Sequence, residues 1–516
     1  MYNIYTLLES QTGRYPDKPA LLFEEKCVTY REFYQLVNRT AYSLYHYGID
    51  KGAKVAVLFY NGIRFLSVFY ALQKLGAIAV LLNYRYNMQE IQAALAASDS
   101  KFLVLDEMFI EEKHLRQPFT SNTKTISYAP SLWADIPNLS ETFSAGQNDW
   151  SYYAAPEADA PAIFVFSGGT TSAPKIIVSS QQSLVYSALL HNITDDGYGV
   201  YSSDTIALFL PLYHTGGLQY AITFLSMGAT ILLMRKYNQE ELLAAIPKHQ
   251  ITHVFFIPAN LCSQVAESPY YQKGKMGSVR NVILGGSVVT ESIIQSAFEL
   301  FPHAMLTLGY GCSEGFSTAL CLTQEAYRKN PSLGNSVGYP TLMSQIRLLD
   351  DMGAEVPSGG LGEAVGRSPW MMNGYYQNHQ IVKAPEWIFS GDILRKDDQG
   401  RYYFCDRKKD IVRTAGENVS TFEIENVLAK HGAVRECAVF GVKHDRMNEI
   451  IVAAVVLEPG AQQSEEELIS FCKEHVASYK KPKKILFLDA LPRTSVGKVD
   501  KKLLRQQYQH VGDLVR

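Results

Sequence analysis

Nine consecutive residues, Ser167-Gly168-Gly169-Thr170-Thr171-Ser172-Ala173-Pro174-Lys175, bring four hydroxyls, two glycines and an ammonium into one stretch. Hydroxyls and lysine donate to phosphate oxygens, and neighbouring glycines let a backbone approach a ligand closely. The spacing is not that of a Walker A loop, which needs Gly-x-x-x-x-Gly-Lys-Ser/Thr. Taken alone, the stretch reads either as a phosphate cradle or as a polar surface turn. Other chemistry-bearing groups follow it. They are Pro211-Leu212-Tyr213-His214, Gly285-Gly286-Ser287, Gly309-Tyr310-Gly311-Cys312-Ser313-Glu314-Gly315, Trp387-Ile388-Phe389-Ser390-Gly391-Asp392, and the charged run Asp406-Arg407-Lys408-Lys409-Asp410.

Positioning these groups requires strands that end beside them. The apolar run 162–166 reads as a buried strand entering the hydroxyl-rich stretch. Thr29-Tyr30-Arg31-Glu32 has the form of a capping box opening a helix. Residues 54–59 and 78–82 read as strands with a helix at 65–75 between them, a β-α-β order that implies a parallel sheet. Beyond 175 the alternation resumes, with strands at 204–210, 229–234, 253–257, 279–284 and 305–308 and a helix at 240–248. Three of these strands lead into turns rich in glycine or bearing His214. Ligands of parallel sheets sit at the carboxyl ends of strands, so one shared crevice is expected. From about 335 to 405 the texture changes to short strands and turns, a small β-rich subdomain, and an α+β unit follows.

At 516 residues the chain exceeds one ordinary core, so two to four domains are expected. A net charge of −3 argues against a general nucleic-acid binder. Residues 407–516 are nevertheless basic, with 19 Lys and Arg against 15 Asp and Glu. The seven cysteines are scattered without a Cys-x-x-Cys pair, which suggests neither a disulfide framework nor a zinc site. The charge-free run 217–234 is interrupted by Gly228-Ala229-Thr230 and reads as a buried helix followed by a strand rather than a membrane span. No signal peptide is read at the N-terminus, and the cytosol is the default location.

Together these groups resemble the adenylate-forming superfamily, which contains acyl- and aryl-CoA synthetases, peptide-synthetase adenylation domains and firefly-type luciferases. Residues 166–175 look like its Thr-Ser-Gly-Thr-Thr-Gly-x-Pro-Lys-Gly signature, and residues 309–314 are similar to its Tyr-Gly-x-Thr-Glu motif. Trp387 through Asp392 resembles Trp-x-x-Thr-Gly-Asp. Residues 406–425 resemble the Gly-Arg-x-Lys-Asp block, and Pro492-Arg493-Thr494-Ser495-Val496-Gly497-Lys498 is similar to the C-terminal Pro-Arg-Thr-x-x-Gly-Lys motif. The resemblance implies an α/β fold with an N-terminal AMP-binding domain at 1–406 and a small, mobile α+β lid at 407–516. It implies ATP, Mg²⁺ and a carboxylate as reactants, an acyl-adenylate intermediate, and CoA or a carrier-protein thiol as acceptor.

The same resemblance distributes roles. Ser167, Gly169, Thr170, Thr171, Ser172 and Lys175 would cradle phosphates, with Ser313 a further contact and Glu314 the magnesium ligand. Tyr310, followed by Gly311, would stack on adenine against a wall of Gly285, Gly286 and Ser287. Asp392 would accept both ribose hydroxyls, and Arg407 would hold the ribose and phosphate side. Lys498 would stabilise charge between the carboxylate and the α-phosphate. Lys409 matches the hinge of the lid and Gly416 the thiol channel. His214 stands in the aromatic-His form of the CoA-ligase branch, although a packed histidine is the simpler reading. The basic tract from Lys473 to Lys484 is either a partner for CoA phosphates or a solvated helix face.

The departures are specific. Gly168 replaces Ser, Ser172 and Ile176 replace Gly, Gln181 stands where Thr-His is common, and Asp406 replaces Gly. A β-branched Ile176 does not readily take a positive φ. These changes bear on ATP affinity and rate rather than on reaction type. An acyl-AMP ligase loading a carrier protein and a weakly active adenylate-binding protein therefore stand as alternatives to an acyl-CoA ligase with an apolar substrate.

Overall fold

The computed structural model describes residues 3–112, 122–131, 136–144, 147–166, 175–190, 199–272, 274–287, 289–315, 317–493 and 499–514. Compactness divides the chain into two units. The first comprises Met1–Gly334, Pro340–Gln345 and Arg367–Ile388; the second comprises Asn335–Tyr339, Ile346–Gly366 and Phe389–Arg516. By this measure residues 389–406 group with those that follow them.

The first unit contains an eight-stranded sheet. Its order is Gln380–Lys383, Gly374–Gln377, Ile176–Ser180, Pro161–Phe166, Ile78–Leu81, Lys54–Leu58, Phe102–Leu105 and Lys124–Ser127. Pairing from Pro161–Phe166 to Lys124–Ser127 is parallel, whereas Ile176–Ser180 and Gly374–Gln377 join antiparallel. A second sheet runs Asn281–Leu284, His253–Phe256, Thr205–Leu208, Thr230–Leu233, Pro19–Phe23, all parallel, with Met305–Gly311 parallel to the first of these. These strands are short apolar runs buried on both faces, as strands flanked by helices must be.

Local signals explain the helices. Thr29 caps Tyr30–His46, its amide donating to Glu32 at 2.8 Å while the Glu32 amide donates to the Thr29 hydroxyl at 3.2 Å. The charge-free run becomes the helix Thr215–Ser226 and the strand Thr230–Leu233, and no helix among the described residues is long and apolar enough to cross a membrane. The helix Ile63–Lys74 is almost wholly buried. At its end Lys74 donates to Asn38 Oδ1 at 2.7 Å and to the Trp150 carbonyl, and burial lowers its pKa to about 8.

In the second unit, Gln345–Leu349, Leu361–Arg367, Ile388–Lys396 and Tyr402–Arg407 form the small sheet expected between 335 and 405. A separate sheet is built on the long antiparallel pair Val434–His444 and Asn448–Leu457, packed by Thr421–Leu428 and Glu465–His475. Asp406, the departure from Gly, is 3% exposed. It accepts bonds from the Thr421 hydroxyl at 3.0 Å and from the Thr421 amide, capping that helix from outside.

Candidate active site

Pro161–Phe166 and Ile176–Ser180 are the two arms of a hairpin, with Phe166 opposite Ile176. The arms therefore fix where the hydroxyl-rich stretch leaves and re-enters the sheet. Ser167, Gly169, Thr170, Thr171 and Ser172 themselves lie outside the described residues, as does Lys498. The structure answers the difficulty raised by Ile176. It begins a strand, is 2% exposed, and pairs with both Phe166 and Tyr376, so its backbone is extended and no positive φ is asked of it. A β-branched residue suits that place.

Lys175 precedes this strand and is exposed. Its ammonium stands 5.2 Å from the centre of the Tyr375 ring, within cation–π range. Tyr375 belongs to Gly374–Gln377, directly opposite Ile177. Its hydroxyl bonds to Glu314, and burial together with the Glu314 charge pushes its pKa up to about 12. The phenol thus stays protonated and donates to the carboxylate. One tyrosine brings together Lys175 and Glu314, which the sequence had placed in separate motifs.

Glu314 sits on a tight turn. The strand before it is longer than its glycines suggest, running Met305–Gly311 and pairing antiparallel with Ser317–Leu322, Tyr310 opposite Thr318. Gly309-Tyr310-Gly311 is therefore strand and not turn, and the reversal falls on Cys312 to Gly315. Glycine disfavours a strand interior, but a ladder of six residue pairs overrides that preference. The turn is pinned to residues 368–372. The Met372 amide donates to the Glu314 carbonyl at 2.9 Å, and the Ser368 hydroxyl donates to the Gly315 carbonyl. Gly315 has φ +108°, and a Cβ there would come within 2.6 Å of Met371 Cα, so only glycine fits.

Gly285-Gly286-Ser287 follows Asn281–Leu284, next to the strand bearing Tyr310. An added Cβ on Gly285 would stand 3.1 Å from the Gly309 carbonyl oxygen, while on Gly286, at φ +70°, it would strike Ile257 at 2.5 Å. The Ser287 hydroxyl accepts from the Ala259 amide at 3.0 Å and so ties this turn to its neighbour. The wall expected opposite Tyr310 is thus a rigid turn beside the Tyr310 strand. His214 begins the helix Thr215–Ser226, partly buried against Tyr213 with ring centres 4.3 Å apart. The preceding loop is held by Asn61, which accepts from the Leu212 amide at 2.9 Å.

In the second unit Asp392 and Arg407 are directly opposite on neighbouring strands, with Arg407 Nε 3.5 Å from Asp392 Oδ1. Asp392 is 8% exposed, and its amide donates to the Ser390 hydroxyl at 3.1 Å. Burial, aided by the Arg407 charge, lowers the pKa of Lys409. Gly416 lies with Ala415 at the tip of the hairpin Val412–Thr414 and Glu417–Val419, both at positive φ, with open space where a Cβ would stand.

The donor set fits magnesium. Mg²⁺ is commonly held by one or two carboxylates with substrate phosphates and waters completing its shell. Glu314 offers one oxygen beyond the hydroxyl of Tyr375, and Ser313 is exposed beside it. Sequence reasoning missed Tyr375. The available signal was the Tyr375-Tyr376 pair, since neighbours in a strand face opposite ways.

Residues 8–376 match the family model described as AMP-binding enzyme, and residues 423–498 match the AMP-binding enzyme C-terminal domain. The chain is 30% identical to an indoleacetate–CoA ligase of Aromatoleum aromaticum, with 97% of both chains covered. It is 28% identical to a fatty acid–[acyl-carrier-protein] ligase of Streptomyces coeruleorubidus, over 96% of this chain and 94% of that one. The o-succinylbenzoate CoA synthetase of Bacillus subtilis, solved with its acyl-adenylate intermediate, superimposes with a TM-score of 0.80 at 26% identity over 98% of each chain.

Proposed function

The chain belongs to the family of AMP-binding enzymes, and from that premise we propose that it activates a carboxylate as an acyl-adenylate and passes the acyl group to the thiol of CoA. The observation that carries this reading is the meeting of Lys175 and Glu314 on Tyr375, a cation and a carboxylate held apart but adjacent. Such a pair suits a polyphosphate, whose oxygens need positive charge on one side and a metal-binding acid on another.

In the first step a substrate carboxylate oxygen bonds to the α-phosphorus while the bond to the bridging oxygen breaks, and pyrophosphate leaves. Two anions must approach one another, so the site has to offset their repulsion. Magnesium, when bound, supplies part of that charge. Lys175 and the hydroxyls of 167–172 contact phosphate oxygens, and Ser313 and Glu314 serve the metal side. Asp392 accepts the ribose hydroxyls with Arg407 alongside. Lys498 stabilises charge on the attacking carboxylate and the α-phosphate. In the second step the thiol sulfur bonds to the acyl carbon, the bond to AMP oxygen breaks, and the thiol proton is lost to solvent. Lys409 is the hinge on which residues 407–516 reorient between the steps, Gly416 lines the thiol path, and His214 borders the acyl group.

The acyl group is apolar in this reading. Thr205–Leu208 and His253–Phe256 bring aliphatic and aromatic side chains, and no acid stands at 211–220 to hold an ammonium. The test is a panel of medium-chain, aryl and amino-acid substrates scored for pyrophosphate and AMP, with and without CoA. ADP and inorganic phosphate as products would overturn the reaction type, and an amino acid as best substrate would overturn the apolar pocket. The similarity to a carrier-protein ligase favours one second reading, in which the acceptor is a carrier-bound thiol. Product analysis with CoA against holo carrier protein separates the two.

A further inference from the structure

We propose that Tyr375 is a positioning residue for Glu314, holding its carboxylate ready for the magnesium of bound ATP while its ring keeps Lys175 close but unpaired with it. The inference rests on the adenylation reading above and adds a residue to it.

The strand geometry leaves Tyr375 little freedom. Gly374–Gln377 pairs on one side with Ile176–Ser180 and on the other with Gln380–Lys383. Tyr376 points to one face, where its ring packs 4.9 Å from that of Phe164 and its hydroxyl meets Asp99 and, at 2.6 Å, the Lys54 ammonium. Tyr375 therefore points to the other face, packed beside Ile177, Met372 and Ile388. The anchoring of Tyr376 fixes the orientation of Tyr375.

Glu314 is restrained from the same segment at two points. Met372 holds its backbone carbonyl, and the Tyr375 hydroxyl holds its side chain. Among the described residues no lysine, arginine or histidine makes an ion pair with Glu314. The restraint is thus a neutral donor, which orients a carboxylate without cancelling the charge a dication needs. A guanidinium in its place would compete with the metal. The aromatic face does the complementary task for Lys175. It attracts the ammonium through its quadrupole, so the cation stays near Glu314 with its protons available to phosphate.

Tyr375→Phe keeps the ring and deletes only the hydroxyl. The measurement is Mn²⁺ binding in the presence of a non-hydrolysable ATP analogue, read by electron paramagnetic resonance, with thermal melting as a control. Partners of a metal ligand typically contribute 10–100-fold in affinity, so Tyr375→Phe should weaken Mn²⁺ binding by about 10-fold or more. Affinity for the metal-free analogue should stay unchanged. In a Glu314→Gln background the same substitution should have no further effect, because the group it orients is gone. Tyr375→Leu should additionally weaken the metal-free analogue through loss of the Lys175 contact. Unchanged Mn²⁺ affinity in Tyr375→Phe overturns the proposal, as does an effect that adds fully to that of Glu314→Gln. Equal loss with and without Mn²⁺ overturns it too, since that marks general disturbance. Failure of the wild-type chain to form AMP and pyrophosphate with any carboxylate would instead sink the adenylation reading itself.

Discussion

Glu314 stands on a turn of the first unit, half-buried, restrained by a tyrosine hydroxyl and a backbone amide from a segment about 60 residues later in the chain. Asp392 stands within a strand of the second unit, 8% exposed, with a guanidinium 3.5 Å away on the neighbouring strand. Both are carboxylates expected at the nucleotide, yet one keeps its full charge and the other is partly offset. An acid that must take a dication gains from neutral restraint, because any fixed cation would have to be displaced. An acid that only accepts hydroxyl hydrogens tolerates a cation, which also keeps it ionised and aligned. The type of restraint, and not the depth of burial, separates the two tasks.

The comparison can be broken most directly at Glu314. Glu314→Gln preserves shape and should lower adenylation by about 10²–10³-fold, the loss usual when a group that offsets transition-state charge is removed. Pyrophosphate exchange measures it, and an effect below about 10-fold would mean that the acid carries no metal. Lys498→Ala sharpens the contrast between the two half-reactions. It should cost adenylation about 10²-fold or more while supplied acyl-adenylate and CoA still give thioester. Equal loss of both steps in folded protein would refute a lid that changes its task.

Asp392→Asn should be milder. It keeps one acceptor oxygen and should raise the KM for ATP by about 10-fold, the equivalent of one charged hydrogen bond, with a smaller change for 2′-deoxy-ATP. Equal sensitivity to ATP and its deoxy analogue would remove the ribose role. The smallest effect concerns stability. Burial lowers the pKa of His253 to about 3, with Asp204 and Arg280 as its charged neighbours. The folded state keeps this ring neutral while the unfolded chain takes up a proton below about pH 6.5. Its contribution is fully present above that pH and is lost as pH falls, by about 2 kcal/mol at pH 5. Urea unfolding at pH 7.5 and 5, followed by tryptophan fluorescence, should show this loss reduced in His253→Leu. An identical loss in the variant would exclude the histidine as its source.

Much of the architecture follows from local signals. The capping box at Thr29 and Glu32, the β-α-β alternation of the first hundred residues and the helix-then-strand division of the run 217–234 all appear where their residue types require. Non-local pairing decides the rest. Gly309 and Gly311 look like turn residues until Ser317–Leu322 is laid beside them. Ile176 looks misplaced for a loop until it is seen as the first rung of a strand. Tyr375 carries no motif signal of its own kind. Its importance arises because one segment touches both Lys175, 200 positions earlier, and the turn at Glu314. Spacing along the chain cannot express a contact that a sheet creates.

The opposed faces of Tyr375 and Tyr376 set a rule for how this segment tolerates changes in length. The hairpin reverses at Asn378 and His379, both in left-handed backbone conformations, and extra residues there would enlarge the tip while leaving both tyrosines in place. One residue added or removed between Asn373 and Tyr376 would do something different. It would shift the pairing by one and turn every side chain to the other face, sending Tyr376 towards Glu314 and Tyr375 towards Phe164. Compositionally such a change is almost silent, since one tyrosine replaces another at each location. Chemically it would unseat the Lys54–Asp99 anchor and the carboxylate together. Insertions within this strand should therefore be purged while insertions at the tip accumulate.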